Sequence, residues 1–392
     1  MYTGFSKEQK MIQESAHGFL LKNCPGDFVR KMAGDEKGYT VEFWNSISEL
    51  GWPAMIVPEK YEGFGLGFME LAVLLEEMGG FCLPGPFFTS VLLGEMCLLE
   101  AGSEKQKAEL LPSMARGEII ATLALNESTS EYHPASISTS ATANSEGYHV
   151  DGEKRFVADA HVADYLLTVV RTGPPTTTDS ERGLSVLVVD SKSPGIKFRQ
   201  LKTIAGDKQF EIVFDGVAVP KQNLLGEMNG AWPWIKRVLQ KAATGKCAEM
   251  TGGARRVLDM TVSYTKQRKQ FGKLIGSFQA IQHHCANMLT DLETSRWLMY
   301  KTAWMIDQNR CHDLQVSICK AWCNQALRRV IALSHQVFGG IGYAEEHDLP
   351  LYFRRARTFE ALFGNLEYHR KEIAESLITD EDALDSLSAL NM

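Results

Sequence analysis

The chain has 392 residues, of which 44% are hydrophobic and 23% charged, and a formal net charge of -7. That length allows two or three domains with a large core, and the composition is that of an ordinary globular protein. An acidic balance argues against broad nucleic-acid binding, which needs a basic face, yet local arginines can still hold an anionic small ligand.

The opening run MYTGFSKEQKMIQESAHGFL lacks a long apolar core and carries Glu14, so it does not read as a secretion signal. No segment reaches the roughly 18 uninterrupted apolar residues of a membrane span, and a cytoplasmic protein is expected. Ser6 to Gln9 make a capping-box start for a first helix. TVEFWNSISELGW has helical spacing and stops at Gly51. VPEKYEGFGLG is a glycine-rich loop, and FMELAVLLEEMGG is a short helix ending at a glycine pair. GPFFTSVLLGEMCLLEAG and SEKQKAELLPSMARGE complete an all-α N-terminal domain over residues 1–117.

Near residue 118 the texture changes to short β-type runs bounded by turn residues, among them EIIATLALNE, ADYLLTVVRT, GLSVLVVDS, GIKFRQL and FEIVFDGVAV. Their spacing predicts a small antiparallel barrel or sandwich over 118–229, with RTGPPTTTDSERG as its longest loop. Long helices return from Gly230: one to about Arg268, one from Phe278 to Asn309, and one from His312 to Val337. Helices of that length pack as an up-and-down bundle, so residues 230–392 are expected as a C-terminal four-helix bundle ending in an acidic tail. The fold class is α+β.

Metal and nucleophile motifs are sparse. His283, His284 and Cys285 are consecutive, so on a helix they point in different directions and cannot share an ion. Cys319 and Cys323 are one helical turn apart, but no second ligand pair accompanies them, and the reading is a buried core pair with no metal. The eight cysteines sit mostly in apolar helical surroundings, as reduced thiols do. There is no P-loop and no Rossmann glycine fingerprint. Three stretches carry more. TKQRKQFGKLIGSFQAIQHH puts Arg268, Gln270 and Phe271 between two helices, a grouping suited to a phosphate and a ring. HQVFGGIGYAEEHDLPLYFRRAR holds a Gly339-Gly340-x-Gly342 turn where a ligand can approach the backbone. RTFEALFGNLEYHRKE is broken at Gly364-Asn365, just after Phe363.

Together with ELGWPAMIVPEKYEGFGLGFMELAVLLEEMG, VDGEKRFVADAHVADYLLTVVRT and FDGVAVPKQNLLGE, these stretches resemble the acyl-CoA dehydrogenase family, in register from residue 6 to about 378. The resemblance implies FAD held between the β domain and the C-terminal bundle, with part of each flavin site supplied by a neighbouring subunit. It implies an acyl-CoA substrate whose α-proton goes to a carboxylate while hydride leaves Cβ, and an electron-transferring flavoprotein or other acceptor as electron partner. A homo- or hetero-oligomer, dimer or tetramer, follows from the shared site.

By the same resemblance, Leu125, Asn126 and Ser128 lie beside the flavin, and Phe156 and Ala158 on the strand facing its ring. Arg268, Gln270, Phe271 and Gln279 match the segment that reaches a neighbour's FAD. Gln336, Gly339 and Gly340 match the adenosine-diphosphate turn, and Asn365 and Glu367 match flavin contacts. The sequence also departs from the family. The usual Thr-Glu-Pro reads Asn126-Glu127-Ser128, the Gly-Ser-Asp reads Glu131-Tyr132-His133, the flavin-facing Trp is Phe156 and the Thr near N5 is Ala158. Both standard base positions are empty, one being Phe363 and the other Ala242; these two are expected to line the substrate pocket. Glu249, Asp159 and Glu127 are weaker substitutes for the base, and the catalytic residue is left unassigned. Three functions remain open: an FAD-dependent oxidoreductase acting on a cyclic, aromatic-derived or steroid side-chain thioester with an atypical base, a base-less structural subunit of a hetero-oligomer, or a non-redox lyase.

Overall fold

The computed structural model describes residues 4–127, 132–173, 180–310 and 313–379. The chain opens with helices α1 (Lys7–Asn23), α2 (Gly26–Gly34), α3 (Val41–Glu49) and α4 (Phe68–Gly80). A π-helix at Thr89–Glu95 runs into α5 (Met96–Ala101), followed by α6 (Glu104–Ala115). Eight strands come next: β1 (Ala121–Ala124), β2 (Ser140–Ala143), β3 (Gly147–Ala158), β4 (Tyr165–Arg171), β5 (Leu184–Asp190), β6 (Ile196–Leu201), β7 (Gln209–Pro220) and β8 (Leu224–Leu225). Helix α7 (Trp232–Thr265) leads to the hairpin β9 (Lys269–Gln270) and β10 (Lys273–Leu274), then to α8 (Gln279–Asp307), α9 (Asp313–Phe338), α10 (Leu349–Ala361) and α11 (Leu366–Thr379).

Local chemistry explains the ends. Ser6 and Gln9 exchange side-chain and backbone bonds in a capping box, and Ser103 and Gln106 repeat it before α6. Thr40 caps α3, which stops at Glu49, ahead of Gly51 in the left-handed region. The third bundle helix runs from Asp313 to Phe338, and His312 lies outside the described residues. So do part of the long loop, residues 174–179, and the tail from 380 on. Among the described residues no helix is long and apolar enough to cross a membrane.

The contacts divide the chain into two compact units. The helical unit combines residues up to Gly26, Phe68–Leu83 and those from Ala243 onward. In it α9 packs on α8, α10 and α11, and α4 packs on α1 and α8. Helix α4 is buried on every side beyond its first turn, Glu76 and Glu77 included, while Glu70 is half-buried. Glu76 is satisfied by Arg255 at 3.2 Å, Arg296 at 3.3 Å and the Tyr300 hydroxyl; Glu77 is met by Arg255 at 2.8 Å and His17 at 3.0 Å. The orphan amides of Phe68 and Met69 donate to the Asp307 carboxylate at 2.6 and 2.9 Å, which places a negative charge on the α4 N-terminus.

The sheet unit holds Asp27–Gly67 and Pro84–Ala242. Its strands run in the order β6-β7-β3-β2-β4-β5-β8, with β1 added beside β4. The expected antiparallel pairing holds for β2–β3, β3–β7, β6–β7, β4–β5 and β5–β8. Strand β1 instead pairs in parallel with β4, and Ser140 of β2 meets Arg171 in parallel, so the sheet is mixed. Alternation of side chains reports which face is buried, not the direction of the neighbour. The long β3–β7 ladder slips between Lys154 and Val157, and this bulge carries Phe156.

Candidate functional site

In the sheet unit, the residues after β1 are clamped by a buried ion pair. Lys154 Nζ donates to Glu127 Oε1 at 2.8 Å and to the Leu125 carbonyl at 3.0 Å. Glu127 also accepts from the amides of Ser138 at 2.8 Å and Thr139 at 2.9 Å. Burial works to raise the Glu127 pKa, but the Lys154 charge and these donors outweigh it and hold it at about 2. Burial lowers Lys154 to about 8 against the pull of the same carboxylate. The clamp leaves no lone pair of Glu127 free for general-base work, so it positions the segment instead. The Asn126 carbonyl accepts from the Arg155 amide at 2.8 Å, while its buried side-chain Oδ1 has no partner among the described residues. Ser128 lies outside the described residues.

At the bulge, Phe156 adopts φ 54 and is 46% exposed, an unusual combination for a large aromatic residue. The Ala158 carbonyl accepts from Thr122 Oγ1 at 2.8 Å, and Asp159, also at positive φ, accepts from Thr89 Oγ1 at 2.8 Å. Ala242 on α7 is fully buried.

In the helical unit, Arg268, Gln270 and Gln279 are exposed around the β9–β10 hairpin. Phe271 at its tip has φ 52 and 91% exposure. Gln336 and Gly339-Gly340 are exposed at the end of α9. Gly339 has φ +63, and a Cβ added at either glycine would meet nothing, so the backbone there is open to a ligand. Asn365 and Glu367 are exposed at the start of α11, where Asn365 Oδ1 accepts from the Tyr368 amide at 2.8 Å.

Phe363 is buried at φ 57, before Gly364 at φ 99. Two polar groups tie down this turn, and neither is apparent from the sequence. His369 Nε2 donates to the Phe363 carbonyl at 2.9 Å, which makes its Nδ1 the acceptor toward Ser317 Oγ at 3.2 Å. Burial, aided by the Lys320 charge, lowers His369 to about 4. Lys320 Nζ donates to Asn324 Oδ1 at 2.8 Å and to the carbonyls of Phe359 at 2.9 Å and Gly364 at 3.2 Å. Burial lowers Lys320 to about 8. Glu249 is ion-paired with Lys246, whose ammonium stands 4.3 Å over the Phe359 ring. It lines a narrow cavity with Tyr352, Arg355 and Phe359 that has room for about one water molecule. Cys319 and Cys323 do pack together in the core, but Cys247 of α7 joins them, a third thiol that sequence spacing could not supply. Among the described residues all cysteines are free, and Cys311 lies outside them.

The sheet unit thus exposes Phe156 beside a buried ion pair, the helical unit exposes Phe271 and the backbone at Gly339 and Gly340, and no carboxylate stands at position 363 or 242. Three family models match in order: the acyl-CoA dehydrogenase N-terminal domain over residues 6–118, the middle domain over 122–217 and the C-terminal domain over 229–378. The chain is 28% identical to a probable acyl-CoA dehydrogenase, YngJ, of Bacillus subtilis over 95% of its own length and 98% of that protein. It is 27% identical to a 3-(aryl)acrylate reductase of Clostridium sporogenes, covering 95% of this chain and 99% of that one. Butyryl-CoA dehydrogenase of Megasphaera elsdenii superposes with a TM-score of 0.89 at 25% identity, over 96% of this chain and 100% of that structure. The chain belongs to the acyl-CoA dehydrogenase family.

Proposed function

We propose that the chain binds FAD and oxidises a CoA thioester across its Cα–Cβ bond, or reduces the corresponding enoyl thioester, with a base other than the family's usual glutamate. The observation that carries this reading is Asn126, whose buried Oδ1 has no partner among the described residues, sits on a segment immobilised by Glu127 and Lys154 and calls for a donor from a bound group. The open backbone at Gly339 and Gly340 suits the phosphates of a dinucleotide, and the exposed Phe156 suits a flat ring. Arg268, Gln270, Phe271 and Gln279 stand free to complete the flavin site of a second copy or a paralogue, in a dimer or tetramer. Bound FAD supplies a hydride acceptor for Cβ, and its electrons pass on to an electron-transferring flavoprotein or another acceptor.

The chain's own side chains set the substrate. Phe363 and Ala242 carry no charge and Ala242 no bulk, which suits an apolar, ring-bearing acyl group; kinship with a reductase of aryl acrylates points the same way. A second reading, a base-less partner subunit, is favoured by Phe363 itself: the turn is fully built, its carbonyls tied to His369 and Lys320, around a ring that cannot accept a proton. The test is a visible spectrum of the chain purified alone, with flavin counted per protomer. About one FAD per chain is expected. No flavin alone, but half occupancy in complex with a paralogue, overturns the enzyme reading in favour of the partner.

A further inference from the structure

Three thiols meet in the core of the helical unit. Cys319 and Cys323 are one turn apart on α9, Cys247 reaches them from α7, and the three Sγ atoms lie within 4.8 Å of one another with no residue more than 1% exposed. Thiolates are soft ligands. Bonds of about 2.3 Å put three sulfurs roughly 4 Å apart around a planar centre and roughly 3.3 Å apart around a pyramidal one, so a closure of roughly 1.5 Å or less makes a site of this cluster.

We propose that Cys247, Cys319 and Cys323 form a binding site for a three-coordinate thiophilic centre of the trivalent arsenic class. Two observations select that class. A closed tetrahedral zinc site needs a fourth strong donor, and the nearby polar groups are already engaged. The Ser295 hydroxyl donates to the Asp291 carbonyl at 2.7 Å, and the Lys320 ammonium serves Asn324, Phe359 and Gly364. Charge adds to this. Three thiolates and a trivalent centre sum to zero without a counter-ion, whereas a divalent ion leaves one negative charge that depends on the Lys320 ammonium, already donating to three acceptors, and a monovalent ion leaves two, more than Lys320 can offset. With arsenous acid, three As–O bonds break and three As–S bonds form. Each thiol proton leaves with a hydroxide as water, and no oxidation state changes.

The cluster is enclosed, so loading requires local opening of α7 from α9 and is slow. Once formed, the bonds staple those helices beside Lys320, the residue that holds the Phe359 and Gly364 carbonyls. The site is independent of the proposed redox activity.

The test incubates the reduced, full-length protein with one equivalent of arsenite, both natively over hours and during refolding, followed by desalting. The expected result is about one arsenic per chain by intact mass and a shell of three sulfurs by X-ray absorption at the arsenic edge. Cys247→Ser and Cys319→Ser should each lower retention at least tenfold. Cys24→Ser, at a buried thiol near Cys82, should leave it unchanged. If the triad variants do not fold, the sulfur count in the parent protein still decides. No retained arsenic under either protocol, or a two-sulfur shell that Cys24→Ser abolishes, overturns the proposal.

Discussion

His369 shows how much one buried side chain contributes to the turn that carries Phe363. Its neutral tautomer is the one that can donate to the Phe363 carbonyl while accepting from Ser317. Burial and Lys320 lower its pKa to about 4, while the unfolded chain titrates near 6.5. Between those values the unfolded state binds more protons than the folded one, so stability rises with pH there and is lost as pH falls from about 6.5 through about 4. At 1.36 kcal/mol per unit the loss is on the order of 3 kcal/mol. Chemical denaturation at pH 7, 5.5 and 4.5 should show this slope in the parent chain, and His369→Gln should flatten it by that amount. An equal slope in both proteins would remove His369 as its source.

Among the helices, packing rather than capping decides how closely α4 and α7 approach. A Cβ on Gly79 would stand 2.0 Å from the Glu249 carbonyl, and one on Gly252 would stand 1.7 Å from the Glu76 carbonyl. Both obstacles are backbone, so neither can rotate away. Gly252→Ala should therefore cost about 3 kcal/mol or more, at the upper end for overpacked cores. Gly18 in α1 has open space around it, and Gly18→Ala should stabilise by about 0.5–1 kcal/mol through helix propensity. Urea unfolding of the two variants is the check. A neutral Gly252→Ala would mean that the helices can separate at little cost.

For the molecule as a whole, the β9–β10 hairpin is the feature that a single chain leaves unexplained. Phe271 is 91% exposed at its tip, with the Phe278 ring edge-on to it at 6.2 Å between centroids. The proposed function puts this ring, held in water at positive φ by a two-residue hairpin, against the flavin site of a second copy. Sedimentation should find at least a dimer when the protein carries flavin. Arg268→Ala should weaken flavin retention on dialysis roughly tenfold or more, by the loss of a charge-assisted contact. A flavin-loaded monomer, or unchanged retention in the variant, would defeat this assignment.

The order of helical block, strand block and long helices was legible in the sequence because periodicity, caps and turn residues are properties of neighbours in the chain. So was the family resemblance, since its motifs are runs of residue identity at fixed offsets along the chain; the reading of Phe363 and Ala242 as empty base positions rests on the same offsets, from Gly364 and Arg268, and belongs to the proposal. Pairings between distant segments were not legible. Nothing near Ala121–Ala124 states that β1 runs parallel to β4, and nothing near Cys247 distinguishes it from the other buried cysteines until α7 lies against α9. Lys320 and His369 look like ordinary polar residues of amphipathic helices. Only the tertiary structure turns them inward, because the carbonyls freed at the Phe363–Gly364 break are buried and need donors.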